Sequence, residues 1–502
     1  MSAGSGRQLG AGVLLSYLTL IIGIGSGLFL TPWMLRTVGV ADFGIYSLAL
    51  SLVNFLAIDF GLYNVVSRYM SRYYKLGQTT TAARFISLVL VLYSVLDVLL
   101  LGAFSALWVS ADVIFVSLGG GELATFRDVF VPIAIYSLVS FPVGWLGGIL
   151  IAGGQYAALR GIDLLVKVLN LGFAVAALLT FGSVLSLVWA FVVSSAIGMV
   201  LKIVAVLRHG LLPRRLVRPG RELIREVLRF GLGTAIISVA TRLTIAISPA
   251  LLAIGSGPEA VTVFSIAMMF EGYLWTLGHA MNSLFMPRLT GYVLDGDRER
   301  AIAEVHRTGR LQLAVSGLAI VGFLLLGQDF LDLWLGYESQ EIYLVAALLL
   351  LPSLMTVPQE ICNTWLSAAG KIGYRSLSAG TAGIFSVALS ALLIPEHGAT
   401  GSAIGIFTGV LLGNIVLANG IFRTTLGLSL RAYVKSVHLR FIIPSSLAAA
   451  AALLWNHVSP LGATWWNLLL EATLVAVAYG LSAWRFGMTG TDRTTIKSLL
   501  CR

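Results

Sequence analysis

Charged residues, cysteines and histidines are scarce in this sequence. Only 11% of its 502 residues are charged, whereas 58% are hydrophobic and the mean hydropathy is +0.91. A water-soluble domain cannot bury this much apolar surface. The two cysteines, Cys362 and Cys501, and the six scattered histidines indicate neither a disulfide framework nor a metal site. The composition therefore predicts a membrane protein without a metal or other cofactor.

Signatures of ATP use and of hydrolytic catalysis are absent as well. No G-x-x-x-x-G-K-[ST] motif occurs, and GKI at 370–372 lacks the leading glycine and the hydroxyl residue of such a loop. Neither H-E-x-x-H nor a nucleophile elbow is present. A membrane glycosyltransferase or polymerase should carry a large outer loop with catalytic acidic and basic groups, but the longest predicted outer loop covers only residues 110–128. We therefore predict a protein that is not an enzyme and does not draw directly on ATP.

Long apolar stretches dominate the sequence instead. Windows of about 20 apolar residues, bounded by charges or by Gly and Pro clusters, predict fourteen transmembrane helices. They lie near residues 9–31, 44–66, 85–109, 129–152, 161–181, 184–207, 230–253, 260–284, 311–333, 342–369, 372–394, 399–422, 437–456 and 464–484. The first is too long for the apolar core of a signal peptide, and no A-x-A-like cleavage site follows it.

The basic residues are distributed as this helix count requires. If the N-terminus is cytoplasmic, the cytoplasmic segments contain all but four of the 33 Lys and Arg residues, the exceptions being Arg36, Arg127, Lys167 and Arg242. Positively charged residues are retained on the cytoplasmic side, so we predict that both termini are cytoplasmic. The net charge of +10 then reflects topology and attraction to anionic lipid, and we expect no nucleic-acid partner.

Two parts of the sequence resemble each other at an offset of 217–220 residues. TPWMLRTVGVADFGIYSLA (31–49) aligns with SPALLAIGSGPEAVTVFSIA (248–267), and SRYMSRYYKLGQTTTAAR (67–84) aligns with PRLTGYVLDGDRERAIAE (287–304). In this alignment Gly39 matches Gly257 and Gly77 matches Gly296, at the ends of predicted helices. Because the offset crosses six predicted helices, both copies would have the same orientation, as in transporters with parallel repeats.

The repeat predicts an all-α polytopic membrane protein with two pseudo-symmetric six-helix lobes and two extra C-terminal helices. The N-terminal lobe is expected at 1–207, a basic cytoplasmic linker at 208–229 and the C-terminal lobe at 230–422. Helices 13–14 and a cytoplasmic tail would occupy 423–502. Transporters of this design bind their substrate between the repeats.

Residues 39–74, GVADFGIYSLALSLVNFLAIDFGLYNVVSRYMSRYY, carry a more specific pattern. It contains G-x-x-x-F-G-x-Y-S at Gly39–Ser47, D-x-G-L at Asp59–Leu62 and the pair Arg68–Tyr69. This pattern resembles the N-terminal signature of bacterial polysaccharide exporters. These exporters are the O-antigen (Wzx-type) flippases of the multidrug/oligosaccharidyl-lipid/polysaccharide (MOP) superfamily. The fourteen predicted helices and the repeat extend the resemblance to the whole chain.

The resemblance implies a flippase of the bacterial cytoplasmic (inner) membrane. Such a protein moves a polyprenyl pyrophosphate-linked oligosaccharide by alternating access, for lipopolysaccharide or other surface polysaccharide synthesis. The implied partners are the lipid-linked oligosaccharide, membrane lipids, H⁺ or Na⁺ as a coupling ion, a polysaccharide polymerase and a chain-length regulator. Cation-coupled multidrug antiporters share the fold and remain an alternative, although their cavity should be acidic and aromatic.

Asp59 interrupts the second predicted helix. It lies nine residues before Arg68, about 13 Å from the cytoplasmic boundary, where an ionised carboxylate facing lipid would be costly. Two roles remain open for it. It is either a structural partner for backbone N–H groups or an arginine, or a proton or cation site that couples or gates transport.

Arg242 is the first candidate for substrate binding. Its helix places it about 18 Å from the cytoplasmic end, near the membrane midplane, where a charge needs compensation. Glu271, at a similar depth on the next helix, is its predicted partner. Either the two form a bridge that only fixes helix packing, or Arg242 contacts an anionic headgroup. The resemblance favours the headgroup role, because these flippases handle lipid pyrophosphates and arginine donates to phosphate in pairs.

Three other intramembrane charges remain. Lys167 follows Asp163 by four residues, so that the two can neutralise each other, or Lys167 can join Arg242 at the substrate. Arg36 either reaches the outer interface with its long side chain or takes part in binding and gating. Asp97 interrupts an apolar run and needs a partner. The predicted substrate-binding residues are thus Arg242, Lys167 and Arg36, and the predicted coupling or gating residues are Asp59, Glu271 and Asp97.

Overall fold

The structure is a computed structural model that describes most of the chain. It covers residues 3–58, 61–213, 215–337, 339–459, 462 and 464–494, and for 3–13, 226, 228–234 and 283–284 it describes the backbone only. All regular structure within these ranges is helical. The described helices form two compact units.

The first unit contains the described residues up to Arg242 together with Ala246–Thr262. Its helices are α1 (Ala3–Val38), α2 (Val40–Leu56), α3 (Leu62–Lys75), α4 (Thr79–Val109), α5 (Ala111–Ile114), α6 (Gly120–Ser140), α7 (Leu146–Ala152), α8 (Tyr156–Thr180), α9 (Val184–Arg208), most of α10 (Arg221–Ile245), α11 (Ser248–Gly255) and the start of α12 (Pro258–Leu294). The helix α10 begins within the basic segment 208–229, of which 209–220 is irregular where described. The predicted domain boundaries stay a prediction.

The second unit contains Leu243–Ile245 and the described residues from Val263 onward. Its remaining helices are α13 (Arg298–Leu335), α14 (Gln340–Leu350), α15 (Ser353–Ala368), α16 (Ile372–Val410), α17 (Ala418–Ile421), α18 (Leu430–Ser436), α19 (Ile442–Val458) and α20 (Trp465–Ser482). Turns of π-helix at Leu411–Leu417, Phe422–Leu426 and Ala483–Gly487 continue α16, α17 and α20.

Twelve helical segments among the described residues are long and apolar enough to cross a bilayer. This count differs from the predicted fourteen at two places. The second predicted helix is divided between α2, which has only 17 residues, and α3. The eleventh and twelfth form one run, Ile372–Leu426, which bends at Gly398, where φ is 52° and ψ is −132°. The all-helical multi-pass membrane fold is confirmed, and the count of fourteen stays a prediction.

The predicted membrane helices at 44–66 and 129–152 are not continuous in the structure, and those at 230–253 and 342–369 have shorter interruptions at residues 246–247 and 351–352. The first of them breaks between α2 and α3, next to Gly61, whose φ of 75° is left-handed. The second breaks between α6 and α7 at the 3₁₀ turn Phe141–Val143, where Pro142 has no N–H for a helical hydrogen bond. Gly61 and Pro142 are both visible in the sequence as signals of a break. The apolar residues on each side of them nevertheless led to the prediction of uninterrupted helices.

Left-handed glycines recur at matching connections in the two sequence copies. Five pairs are related by offsets of 216–219 residues: Gly39 (φ 92°) and Gly257 (87°), Gly77 (64°) and Gly296 (71°), Gly154 (74°) and Gly370 (71°), Gly182 (57°) and Gly398 (52°), and Gly210 (60°) and Gly427 (65°). A positive φ costs little only for glycine. The sequence alignment had found two of these pairs, and the other three extend the repeat through both copies.

The G-x-x-x-F-G motif has a structural reason. Gly39 makes the left-handed turn between α1 and α2. A Cβ atom on Gly44 would lie 2.8 Å from the Thr262 hydroxyl on α12, so only glycine allows this approach. The Thr262 hydroxyl donates a hydrogen bond of 2.6 Å to the Val40 carbonyl. These contacts explain why the start of α12 belongs to the first unit.

The helical run Ile372–Leu426 folds back on itself as a tight hairpin. Glycines recur every fourth residue along its second arm, at positions 401, 405, 409 and 413, and small residues face them from the first arm. A Cβ atom on Gly409 would lie 2.5 Å from the backbone nitrogen of Ser386, and one on Gly405 would lie 2.5 Å from that of Ser390. Small residues at this spacing let membrane helices approach to backbone contact.

The last two membrane segments pack on α13 through two tyrosines, whose rings lie over glycines of α13. The Tyr433 hydroxyl reaches over Gly309 and donates to the Pro358 carbonyl at 2.8 Å. The Tyr479 hydroxyl reaches over Gly317, two helical turns further along, and donates to the Leu313 carbonyl at 3.2 Å. A side chain on either glycine would displace the ring that attaches α18 or α20.

Candidate functional site

Lys167 lies at the middle of the 25-residue helix α8 and is half-buried. Its aliphatic stem packs over Gly23 of α1, where a Cβ atom would approach the Lys167 Cε to 3.2 Å. No hydrogen bond or ion pair joins its ammonium group to any described residue. A charged group in a membrane-spanning helix without a partner is costly, and such residues mark substrate or ion pathways.

Asp163 does not neutralise Lys167, although the two are one turn apart. Its carboxylate instead binds the Lys202 ammonium on α9 at 3.0 Å and the Arg160 guanidinium at 3.3 Å. The i, i+4 spacing permits a pair but does not require one, because a neighbouring helix can supply a cation that only the tertiary structure places. Of the two alternatives that the sequence left open, local neutralisation of Lys167 by Asp163 does not occur, and a contact of Lys167 with the substrate stays a prediction.

Arg36 and Arg242, the other predicted substrate-binding residues, also belong to the first unit. Arg36 is exposed in the last turn of α1, where a cation is favoured by the carbonyl end of the helix. Arg242 is half-buried in the last turn of α10. The three basic residues come from three different helices, and their common contact with a ligand stays a prediction.

Glu271, the predicted partner of Arg242, lies in the second unit. It is 8% exposed on α12 and lies one helical turn before Trp275. Trp275 in turn contacts the His279 ring at 5.3 Å between centroids. The pairing of Glu271 with Arg242 is a prediction that these local contacts do not test.

The remaining two acidic candidates are Asp59 and Asp97. Asp59 lies outside the described residues, next to the break between α2 and α3. Asp97 is half-buried on α4, and its buried Oδ1 atom has no hydrogen-bond partner in the described part of the chain. A buried acceptor without a partner is costly, so Asp97 keeps its place as a candidate for proton or cation coupling.

Another intramembrane carboxylate has partners that the sequence did not reveal. Glu360 binds the Arg375 guanidinium at 3.0 Å and accepts a hydrogen bond from Asn363 at 2.9 Å. Glu471 differs from Glu360: it is 1% exposed on α20, and its Oε1 atom has no hydrogen-bond partner in the described ranges. Within the described ranges, no three His, Cys, Asp or Glu residues are grouped closely enough to hold a metal ion.

A cavity of about 260 Å³ lies inside the first unit where the two interrupted helices break. The end of α2, the end of α6 and its 3₁₀ turn, and side chains of α4 and α9 line this cavity. Discontinuous helices expose backbone groups at membrane depth, and transporters use such places for binding. Sequence reasoning missed this cavity, because its described lining residues are distant in the chain and uncharged.

Comparisons with known proteins place these features in context. The sequence matches the family of polysaccharide biosynthesis proteins over residues 9–286. The uncharacterized membrane protein EpsK of Bacillus subtilis (strain 168) is 23% identical over 501 residues, which are 95% of each chain. The fold is similar to the lipid II flippase MurJ in an inward closed conformation, with a TM-score of 0.73, 10% identity, and coverage of 95% of this chain and 98% of that one.

A second solved structure is also similar. It is a multidrug resistance MATE family transporter of the MOP superfamily in an inward-facing conformation, with a TM-score of 0.59 and 17% identity. The match covers 86% of this chain and 99% of that chain. At these identities the likeness establishes the fold and leaves the substrate to be argued from the residues.

Proposed function

Because this chain belongs to the polysaccharide biosynthesis protein family and has the fold of MOP-superfamily transporters, we propose that it is a flippase for a lipid-linked oligosaccharide. The substrate is an oligosaccharide on a polyprenyl pyrophosphate, moved across the bacterial cytoplasmic membrane by alternating access. The relationship predicted from residues 39–74 is confirmed, and the substrate and mechanism are our proposal.

The observation that carries this proposal is the ammonium group of Lys167. It lies half-way along a membrane-spanning helix, and no described carboxylate neutralises it. A pyrophosphate headgroup supplies the missing negative charge, and hydrogen bonds to charged groups contribute about 1.5–3 kcal/mol each. Arg242 and Arg36 would add guanidinium contacts, which suit phosphate oxygens because arginine donates in pairs.

The proposal extends to energy coupling, partners and location. Asp59, Glu271 and Asp97 are the candidates for H⁺ or Na⁺ coupling, which an imposed pH or Na⁺ gradient across vesicles would test. Both termini would lie in the cytoplasm, so that a reporter fused after Arg221 should be cytoplasmic. A polysaccharide polymerase and a chain-length regulator would act on the flipped product.

We expect Lys167→Met to lower flipping at least tenfold, because the variant keeps the side-chain length but loses the charge that binds pyrophosphate. The measurement uses purified protein in vesicles and follows the accessibility of a fluorescent polyprenyl pyrophosphate oligosaccharide to a membrane-impermeant quencher. Lys167→Arg should retain part of the activity, because the positive charge remains.

Lys202→Met is the matched control. It removes an equal charge from the neighbouring helix, but the Lys202 ammonium already binds Asp163. In the variant, Asp163 still has Arg160 as its second partner. We expect its flipping to stay within about threefold of the wild type. Equal activity of Lys167→Met and wild type at equal protein abundance would refute the role of Lys167. Transport of organic cations in place of the lipid would instead identify a drug antiporter.

A second prediction concerns Arg242 and Glu271. Arg242→Ala should abolish flipping, whereas Arg242→Lys should retain some of it, because the charge survives while the paired donors are lost. If Arg242 binds the headgroup, Arg242→Ala combined with Glu271→Ala stays inactive even where the double change restores protein abundance. If the two form only a structural bridge, removing both charges relieves the unpaired one and restores activity. Membrane abundance must be measured beside flipping in each variant.

A further inference from the structure

The cavity at the two helix breaks of the first unit has a distinctive set of hydrogen-bonding groups. Ser137 of α6 is only 6% exposed and lines the cavity. Its hydroxyl has no hydrogen-bond partner among the described residues, and neither has the carboxamide of Asn54 on α2, which lines the same cavity. Asn54 is exposed, and both groups border the cavity, so this pair of neutral groups is open to a ligand that both donates and accepts hydrogen bonds.

Aromatic rings form the rest of the wall. Tyr93 of α4 meets Phe141 of the 3₁₀ turn edge to face, with 5.2 Å between ring centroids. Tyr136 of α6 meets Phe191 of α9 in the same way at 6.0 Å. Such rings offer apolar faces beside the polar groups of Asn54 and Ser137.

The electrostatics of the cavity exclude an anion. None of the lining residues that the structure describes is charged. The carbonyl ends of α2 and α6 both terminate at it, and the C-terminal end of a helix carries about half a negative charge. Hydroxyl groups that donate to these ends are favoured, and phosphates or carboxylates are not. The pyrophosphate proposed for Lys167 therefore does not belong here.

The size of the cavity limits the ligand further. At about 260 Å³ it is smaller than the roughly 300–1,000 Å³ of pockets that enclose drug-sized molecules. A ligand with one ring, several hydroxyl groups and an apolar face has the matching size and chemistry. A pyranose ring has these properties, since its C–H face stacks on aromatic rings while its hydroxyls hydrogen-bond to amide and hydroxyl groups.

We infer that this cavity binds one uncharged sugar ring of the transported glycan and selects against acidic sugars. The inference rests on the proposed function for the source of the sugar. It assigns Asn54 and Ser137 to the sugar hydroxyls, and the rings of Tyr93, Phe141 and Tyr136 to its apolar face. The headgroup phosphates and the glycan are then recognised by different parts of the first unit.

The test measures direct binding of simple glycosides to the purified full-length protein in lipid nanodiscs. Saturation-transfer NMR should show contact with the ring C–H groups of methyl glucopyranoside or methyl N-acetylglucosaminide, and little or none with methyl glucuronide. Ser137→Ala, which removes one atom, should weaken binding of the neutral glycosides about three- to tenfold. Asn54→Leu should weaken it by at least as much.

Two variants of the same unit serve as matched controls. Ser71→Ala removes a hydroxyl that is already bonded to the Ser67 carbonyl at 2.7 Å, and Asn64→Leu removes an exposed amide on α3 outside the cavity. Both should bind glycosides as the wild type does. Glycoside binding that is insensitive to Ser137→Ala and Asn54→Leu, or absent altogether, would overturn the inference. Binding of tetramethylammonium but of no glycoside would also overturn it and indicate a cation site.

Flipping of the lipid-linked substrate is measured separately in vesicles. A wild-type protein that binds glycosides through Asn54 and Ser137 but does not flip the lipid would refute the proposed function and leave the sugar site standing. A protein that flips the lipid normally, with no glycoside binding that depends on these two residues, would refute the sugar site alone.

Discussion

Gly409→Leu is expected to prevent the protein from accumulating in the membrane. A Cβ atom at this position would lie 2.5 Å from the backbone nitrogen of Ser386, and the backbone of the facing helix arm cannot move aside as a flexible side chain would. Overpacking typically costs about 1–3 kcal/mol, and here a whole leucine would have to separate two helices along their contact. The measurement is the abundance of monodisperse protein extracted in mild detergent.

Gly380→Leu is the matched control for this prediction. Gly380 lies on the same helix α16, but a Cβ atom there would have nothing within 4 Å. We expect the control variant to accumulate at close to the wild-type level, because leucine meets no clash there and has a higher helix propensity than glycine. Normal accumulation of Gly409→Leu would show that the two arms of the hairpin are not held at backbone contact.

Arg310→Met is expected to lower the free energy of unfolding by about 3–5 kcal/mol, because it leaves a buried carboxylate without its cation. Arg310 of α13 is 7% exposed, and Asp492 of the C-terminal tail is 0% exposed. The guanidinium donates twice to the carboxylate, from Nε at 2.7 Å and from Nη2 at 3.0 Å. Thr489 adds hydrogen bonds to Asp492 from its backbone N–H at 2.8 Å and from its hydroxyl at 2.7 Å. Thermal unfolding and protease cleavage of the tail would both report the loss.

Two comparisons separate this pair from ordinary surface charges. Arg300→Met, on the same helix, removes an arginine that is 73% exposed beside Asp297, and exposed pairs contribute about 0–1 kcal/mol. Arg310→Met combined with Asp492→Leu should recover much of the lost stability, since no buried charge then remains. A double variant as unstable as Arg310→Met would point to packing of the guanidinium rather than to its charge.

The same pair gives a defined dependence of stability on pH. Burial alone raises the pKa of Asp492, but the hydrogen bonds from Arg310 and Thr489 outweigh it and hold the pKa below the ordinary value of 3.8. The stabilisation is thus fully present above about pH 4 and is lost as the pH falls through the lowered pKa of the folded state. Thermal unfolding from pH 7 to pH 3 should show this loss in the wild type. The double variant lacks Asp492 and should not share that part of the loss.

The sequence by itself determined the class of fold and the family. Apolar stretches of bilayer length follow from transfer free energies, which depend on local composition. The repeat was visible for a similar reason, because the turns at Gly39, Gly257, Gly77 and Gly296 need glycine wherever the backbone is left-handed. The polysaccharide exporter pattern at residues 39–74 depends on such turns and on the close contact at Gly44.

Only the tertiary structure decided which charges are paired. Asp163 lies one turn from Lys167 but binds Lys202, and Arg310 binds a carboxylate 182 residues away. Such pairs depend on which helix faces are brought together, and composition carries no information on that. The proposed sugar cavity was hidden for the same reason, since Asn54 and Ser137 are ordinary residues of apolar helices until the fold brings both into the lining of one cavity. Local physical chemistry determines which segments enter the membrane, whereas the contacts between segments determine what each polar side chain can bind.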